Sequence, residues 1–424
     1  IHDYDHELGV SRFIQQGSLE KTMSYVKSLT SKPVVSVGRF TSPDMMVSQV
    51  RRGIVDLIGA ARPSIADPFL PRKIEEGRVE DIRECIGCNI CYSGDSLSVP
   101  IRCTQNPTMG EEWRRGWHPE RIDPKHQDAT VLVVGAGPAG LEATRALGQR
   151  GYNVFLAEAS TELGGRVSKE SKLPGLAEWA RVRDYRVQQV QTMPNVEVFL
   201  DNRLSAEDAL SIGADHIVVA TGAKWRADGF GRYHPVPCPD LGPAEKIFTP
   251  DDIFAGRYPE GRVVLFDDDH YYMGSVLAEA LVANGAEVCF VTPKSMVSAW
   301  GAMTDEQYQA QQRLIQLGVE IITGHGLQKF DGSTATLSCI YTERTHEIEA
   351  DAAVLVTARL PVDTLYHEIA VLIESHEGSE PAPTLDRIGD CDAPAIIAAA
   401  VHAGHRYARE LGGDREQGVF VHQD

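Results

Sequence analysis

Cys85, Cys88, Cys91 and Cys103 constrain this chain more than any other feature. They read C-x2-C-x2-C, then eleven residues, then C. Three thiols at that spacing cannot share one face of a helix or strand, so the segment must be a tight loop wrapped around something, with Gly87 giving the backbone room. A fourth cysteine arriving from a distance closes such a site, as thiolates close around an iron–sulfur cubane. The spacing is not that of small bacterial ferredoxins, where the fourth cysteine comes three residues on and a proline follows. Zinc is the main rival, although its closed sites usually take two separated CxxC pairs. A set of buried thiols without metal is the third reading. The pattern favours an iron–sulfur cluster of the 4Fe–4S type.

A chain of 424 residues exceeds one ordinary core and implies two to four domains. With 42% apolar and 24% charged residues it reads as globular and soluble, and no apolar run is long enough to span a bilayer. No signal peptide precedes the first domain, and the expected location is cytoplasmic, yet the chain opens without Met and in the middle of a domain. The net charge of −19 (41 minus 60) disfavours a nucleic-acid binder and suits a protein partner with a basic docking face. Beyond the cluster set, Cys238, Cys289, Cys339 and Cys391 are scattered singly, the usage of a reducing compartment.

Residues 1–82 read as α/β units. Pro33-Val-Val-Ser-Val-Gly-Arg-Phe40 is a short β-branched run ending in Gly38-Arg39, followed by an amphipathic helix over 44–53. Val55-Asp-Leu-Ile-Gly-Ala-Ala-Arg62 is a second buried run that also ends in arginine. Near-continuous apolar runs of this kind fit a parallel sheet. Two such strand ends can make a phosphate site, with backbone N–H groups at the glycine and guanidinium donors beside them. The residues alone leave open whether Arg39 and Arg62 do this or are ordinary surface ion-pairing groups.

Residues 83–127 carry few helix or strand signals, so a metal is expected to be what fixes them. Next, Ala129-Thr-Val-Leu-Val-Val-Gly135-Ala-Gly137-Pro-Ala-Gly140 is a strand, a G-x-G-x-x-G turn and the start of an Ala/Leu-rich helix. That order places a pyrophosphate at a helix N-terminus. The following strand, Asn153-Val-Phe-Leu-Ala-Glu158, ends in an acid 18 residues beyond Gly140, where a carboxylate meets a ribose hydroxyl. Gly164-Gly165-Arg166 is a flexible turn, and Thr221-Gly222 and Gly389-Asp390 are strand-end turns of the kind used by flavoproteins with two dinucleotide-type domains. A second unit repeats the pattern with strands at 261–266 and 286–292 and a helix over 275–283. Between them stand Asp267, Asp268, Asp269, His270, Tyr271 and Tyr272 instead of glycines. Carboxylates at that point repel the phosphate they would have to bind, so the unit is dinucleotide-shaped without being a dinucleotide site. The chain is expected to return to the first unit through the strand 352–357 and a helix over 393–411, with the second unit inserted in the first.

Cys85-Ile-Gly-Cys-Asn-Ile-Cys91, Cys103-Thr-Gln-Asn, Gly110-Glu-Glu-Trp-Arg-Arg-Gly-Trp-His-Pro-Glu120 and Ala61-Arg-Pro-Ser-Ile-Ala-Asp-Pro-Phe-Leu-Pro71 closely resemble the trimethylamine, dimethylamine and histamine dehydrogenase family, within the old-yellow-enzyme-type iron–sulfur flavoproteins that also include 2,4-dienoyl-CoA reductase. The resemblance covers essentially the whole chain. It implies an α/β architecture in which 1–82 is the C-terminal part of an FMN-binding (β/α)8 barrel and 83–127 the 4Fe–4S segment. An ADP- or FAD-binding domain follows over 128–228 and 352–424, and a degenerate NAD-binding-like domain over 229–351. The rest of the barrel, and most of the FMN site, then belongs to a preceding portion or a partner chain.

By the same resemblance, Gly38, Arg39, Ala61 and Arg62 match FMN-phosphate positions and the four cysteines match the cluster ligands. Gly135, Gly137, Gly140, Glu158, Gly165, Thr221, Gly222, Gly389 and Asp390 match the ADP or FAD site. Tyr4 and Glu7 fall where relatives place a substrate-facing aromatic and an acid paired to a catalytic histidine. The trimethylamine enzyme has a tryptophan just after its third cysteine, whereas this chain reads Tyr92-Ser-Gly-Asp95, which weakens a cation cage for a bare methylated ammonium. The implied activity is oxidation, with demethylation or deamination, of a methylated amine such as a dimethylamine, dimethylglycine or betaine-type substrate. Electrons would pass from FMN to the cluster to an electron-transfer flavoprotein or similar acceptor, in a homo-oligomer that binds neither nucleic acid nor membrane. Arg102, beside Cys103, is a conceivable partner for a substrate carboxylate. An NAD(P)H-dependent dienoyl-CoA or enoate reductase and a non-catalytic electron-transfer subunit are the alternatives.

Overall fold

The structure is a computed structural model that describes residues 9–238, 240–342, 344–375 and 381–413. The chain divides into two compact units. The first comprises 1–171, 178–223 and 361–424, and the second 172–177 and 224–360. The second unit is thus inserted in the first, as expected.

In the first unit the barrel-like stretch contributes two short parallel strands, Val35–Ser36 and Leu57–Ile58, paired Val35 to Leu57 and Ser36 to Ile58. Both end sooner than the apolar runs suggest. The chain then enters the helices Pro43–Arg51 and Ala61–Ala66, the first capped by Ser42 with Pro43 in its opening turn. Its sheet of five parallel strands runs Thr384–Arg387, His216–Val219, Thr130–Val134, Asn153–Ala157 and Val196–Phe199 across the face. The central strands are apolar throughout because helices cover both faces. On one face the helices Pro138–Arg150 and Ile397–Glu410 close a core of Val131, Val133, Leu141, Leu147, Leu156 and Val218. These helices approach so closely that a Cβ on Gly404 would stand 2.1 Å from the Ala139 carbonyl oxygen.

The second unit has its own five-stranded parallel sheet, in the order Glu320–Thr323, Glu287–Thr292, Arg262–Asp267, Ala352–Val356, Ile247–Phe248. It also carries an antiparallel meander built from His325–Phe330, Thr334–Cys339 and Thr345–Glu349. Here one expected boundary moves. The strand Ala352–Val356 pairs with Arg262–Asp267, so it belongs to the second unit, and the chain re-enters the first at Pro361. The helix expected over 275–283 starts earlier and spans Tyr272–Ala283, and the C-terminal one is shorter, Ile397–Glu410. Among the described residues no helix is long and apolar enough to cross a membrane.

Candidate functional site

The segment around the cysteines has little regular structure beyond the helices Ile90–Ser96 and Glu112–Arg115. Side-chain bonds tie it to the helices before it. Buried Lys73 donates to Asp67 (2.7 Å) and to the Asp81 carbonyl (2.8 Å), while Asp67 also accepts the Arg83 backbone N–H (3.0 Å). Arg83 pairs with Glu120, and the Asn106 amide donates to the Ile65 carbonyl (3.0 Å). The protein's own side chains thus add to whatever a metal contributes in fixing 83–127. The segment is pinned to the helices before it by buried charge pairs and side-chain amides that stand in for a backbone ladder.

Within that frame Cys85, Cys88, Cys91 and Cys103 line one small cavity, together with Arg62, Ile65, Ile86, Asn89, Thr104 and Gln105. None of the four is in a disulfide. Burial pushes the thiols up, Cys88 to about 11, Cys91 to about 12 and Cys103 further still, so as bare thiols they are protonated. Four unoxidised thiols lining one cavity form a donor set suited to a thiophilic metal, whose binding requires thiolates. Among the described residues no three Cys, His, Asp or Glu side chains converge closely enough to hold a single ion. The Thr104 hydroxyl lies 3.2 Å from the Cys88 sulfur, and the Gly87 N–H donates to the Cys85 sulfur at 3.4 Å. Gly87 adopts φ +64°, and a Cβ there would collide with Ser11 and the Arg39 guanidinium.

The two strand-end arginines sit differently from one another. Arg39 is 7% exposed, and its guanidinium donates to the carbonyls of Gly9 (3.2 Å) and Ile14 (2.8 Å). What the strand end leaves for an anion at that point is the Gly38–Arg39 backbone, not the side chain. Arg62 lines the cysteine cavity and donates to Asn89 Oδ1 and, at 3.3 Å, to the Gly9 carbonyl. Ala61 and Arg62 open the helix Ala61–Ala66. Arg102 is bound by Glu111 (2.7 Å), a buried carboxylate that also takes Arg115 (3.1 Å), so it is not available as a partner for a substrate carboxylate. Tyr4 and Glu7 lie outside the described residues.

The glycine turn of the first unit has the geometry its sequence calls for. A Cβ on Gly140 would stand 1.9 Å from the Gly135 carbonyl oxygen, so only glycine lets the helix Pro138–Arg150 meet the strand before it. Gly137, by contrast, faces open space with nothing within 4 Å, the room a pyrophosphate needs. Gly165 lies against Gly137, Arg166 pairs with Asp390 (2.8 Å), and Gly389 touches Ala139. Thr221 donates to the Val362 carbonyl and reaches the Cys391 sulfur (3.2 Å), and the Gly222 carbonyl accepts from Val362 (2.9 Å). Glu158 accepts from the Ala136 N–H (2.7 Å) and from Ser160, at the turn where a ribose would lie. The residues expected at a nucleotide site thus gather at the C-terminal edge of one parallel sheet.

Sequence reasoning missed the buried network between this helix and the cysteine cavity. Glu142 accepts from Arg145 (2.6 Å), Arg186 (2.8 Å) and His405 (2.8 Å). Arg186 also donates to the side chain (3.0 Å) and backbone carbonyl (3.1 Å) of the cavity residue Gln105. Burial alone would raise Glu142, but the two guanidiniums and the His405 bond outweigh it and hold the carboxyl well below the usual range. Burial lowers His405 to about 4, so it is a neutral imidazole that donates from Nδ1 to Glu142 and accepts from Arg409 at Nε2 (2.8 Å). A glutamate inside the helix of a glycine turn was the one signal available.

Three family models match the chain in order: the NADH:flavin oxidoreductase / NADH oxidase family over 7–81, pyridine nucleotide-disulphide oxidoreductase over 129–246, and the OYE-like second alpha/beta domain over 248–353. The chain is 39% identical to dimethylamine dehydrogenase of Hyphomicrobium sp. (strain x), over 97% of this chain and 59% of that protein. It superposes on histamine dehydrogenase from Rhizobium sp. 4-9 with a TM-score of 0.92 and 51% identity, covering 96% of this chain and 59% of that one. The 6-hydroxypseudooxynicotine amine oxidase from Pseudomonas geniculata N1 gives 0.91 and 48%, over 96% and 60%. The chain therefore spans about three fifths of the length of these relatives.

Proposed function

The chain belongs to the family of the dimethylamine and histamine dehydrogenases, and with that as premise we propose that it works as part of an iron–sulfur flavoenzyme that oxidises a methylated amine. The observation that carries the reading is the ring of four free thiols around one cavity, lined also by the strand-end residue Arg62. A closed zinc site would draw its thiolates to about 2.3 Å from one point. Three thiols at C-x2-C-x2-C with a fourth eleven residues on depart from the two separated CxxC pairs usual for zinc and suit a polynuclear 4Fe–4S cluster better.

When bound, FMN accepts the electron pair from the amine and the cluster passes electrons on singly to an external electron-transfer protein. This chain's residues supply the seats. The backbone at Gly38–Arg39 and Ala61–Arg62 offers N–H donors to the FMN phosphate, while Cys85, Cys88, Cys91 and Cys103 hold the cluster. Gly137 and Glu158 take the pyrophosphate and ribose of an adenine nucleotide, ADP or FAD. Tyr92, one residue past Cys91 in the helix Ile90–Ser96, replaces the indole of a trimethylammonium cage, which supports a substrate other than trimethylamine. The relatives named above act on dimethylamine, histamine and 6-hydroxypseudooxynicotine, and amine oxidation is what those names share.

The test is anaerobic titration of the oxidised full-length protein with dimethylamine, dimethylglycine and histamine, set beside iron, sulfide and zinc analysis. Flavin bleaching by an amine, with the EPR signal of a reduced cluster, is the expected result. Stoichiometric zinc without iron would sink the cluster, and bleaching by micromolar NADH with no amine response would move the protein to the reductases.

A further inference from the structure

Resting on the cluster reading above, we propose that the Arg39 guanidinium is an electrostatic positioning group for the cysteine-bound cluster, a buried positive charge that favours the reduced cluster, and that only the residue's backbone serves the flavin phosphate.

Arg39 follows Gly38 at the end of the strand Val35–Ser36 and adopts φ +47°, a left-handed conformation uncommon for a residue with a side chain. The side chain it directs is buried at 7% exposure. Its hydrogen bonds go to two backbone carbonyls, Gly9 and Ile14, and its Nε has no partner. No carboxylate lies within ion-pair reach of it among the described residues. A guanidinium in such a place costs several kcal/mol of lost hydration unless a negative charge stands nearby.

The group it does face is the cysteine loop. A Cβ on Gly87 would stand 2.6 Å from Arg39 Nη1 and 2.9 Å from its Cζ, so the guanidinium lies against the backbone of Gly87 itself. Gly87 immediately precedes Cys88, and consecutive Cα atoms are about 3.8 Å apart, which puts the charge within about 8 Å of the Cys88 Cα. Ser11 holds the loop in that position, its hydroxyl donating to the Ile86 carbonyl (2.6 Å) and its N–H to the Gly87 carbonyl (2.9 Å). The absence of a side chain at Gly87 is what allows the contact. Four thiolates on a cubane carry net negative charge, and reduction adds one more electron to it. At an effective dielectric near 20, a unit charge within about 12 Å of that electron shifts the reduction equilibrium about tenfold. Arg39, within about 8 Å of the Cys88 Cα, is on the scale of that distance and is shielded from solvent ions by burial.

Redox potentiometry monitored by EPR on the full-length protein tests this, with iron and FMN content measured for each variant. Arg39→Gln should lower the cluster's one-electron reduction equilibrium at least tenfold, or about 59 mV, with FMN content unchanged. Arg39→Lys, which keeps the charge but not the fork of hydrogen bonds, should recover most of that shift. If Gln fails to retain iron while Lys retains it, the charge is needed for the cluster and the proposal stands. An Arg39→Gln protein with full iron and an unshifted potential overturns it, as does loss of FMN alone. Loss of iron in both variants also overturns it, since the residue would then be a strut. Wild-type protein without iron would refute the cluster reading itself, before any variant is made.

Discussion

Glu142→Gln removes one negative charge from a site that holds two buried guanidiniums. Glu142 is 1% exposed, and Arg186 and Arg145 are also buried beside it. Glutamine keeps the shape and can still accept one hydrogen bond, but Arg145 and Arg186 are left with neutral partners, Gln149 for the first and Gln105 with the Val182 carbonyl for the second. Breaking a buried pair in this one-sided way costs about 3–5 kcal/mol, because the surviving charge stays buried without its counter-charge. We therefore expect the first unit to lose about 4 kcal/mol. At a urea dependence of about 2–3 kcal/mol per molar, that moves its unfolding midpoint down by more than about 1 M. Trp117 is a suitable reporter, since it is buried and packs edge-on against His405 at 5.4 Å between ring centroids. The comparison requires matched cofactor content, because bound groups stabilise the folded form. A double variant, Glu142→Leu with Arg186→Met, should regain part of the loss by removing one orphaned guanidinium together with the carboxylate. A midpoint shift under about 0.3 M for Glu142→Gln would refute the reasoning, and would mean that Arg145 and Arg186 answer to some other charge.

The same network sets a pH dependence. Burial holds His405 at about 4 in the folded protein against about 6.5 when free, so between those values the unfolded chain binds a proton that the folded chain does not. Stability therefore rises with pH across that window, and acidification from 6.5 to 4 should remove about 3 kcal/mol. A His405→Asn protein should lose that slope, and an unchanged slope in urea unfolding at pH 5 and 7 would exclude the assignment. In the glycine turn, Gly140→Ala should destabilise the fold markedly because its Cβ meets backbone at 1.9 Å. Gly137→Ala meets nothing, keeps an allowed φ of −73° and should melt normally while losing acid-releasable adenine nucleotide. Equal nucleotide content in wild type and Gly137→Ala would move the nucleotide elsewhere.

What the sequence made legible is what depends on local geometry. Gly140 can be read from spacing because the close strand–helix contact tolerates no Cβ, and Glu158 because a strand end has a fixed place in the sheet. The cysteines are legible as one set because four thiols fall within nineteen residues (85 to 103). What stayed hidden depends on long-range pairing. Ala352–Val356 is an apolar run that either parallel sheet would accept, since central strands of both are covered on both faces, and only its pairing with Arg262–Asp267 assigns it. Arg186 belongs to a helix of mostly polar composition, Arg181–Gln191, and nothing in that stretch distinguishes a buried arginine from an exposed one. The direction of Arg39 was hidden for a similar reason. A Gly-Arg strand end fits a phosphate site well, and only the fold brings Gly87 against it.

The second unit shows a conclusion that stands on a different cause from the one its sequence suggests. Three consecutive carboxylates at a strand–helix junction read as electrostatic repulsion of a phosphate. In the structure Asp267 and Asp268 are both 0% exposed, and burial first, then the neighbouring Asp269, raises the Asp267 carboxyl well above the usual range. Burial thus disfavours the charged form of Asp267, which weakens repulsion as the explanation. Its carboxyl group instead fills the space in front of Gly274, whose Cβ would lie 2.7 Å from the Asp267 Cγ, and it accepts the His270 N–H (3.1 Å). Asp268 accepts the Tyr233 N–H (2.7 Å) and has His270 Nε2 3.0 Å away. Tyr271 packs between Tyr272 and Trp300, with ring centroids 4.7 and 4.6 Å apart. A pyrophosphate needs empty space in front of the first helical turn, and here the Asp267 side chain stands against Gly274. Loss of the glycines removes the backbone's approach, and the acids then take the place of the ligand by packing more than by charge.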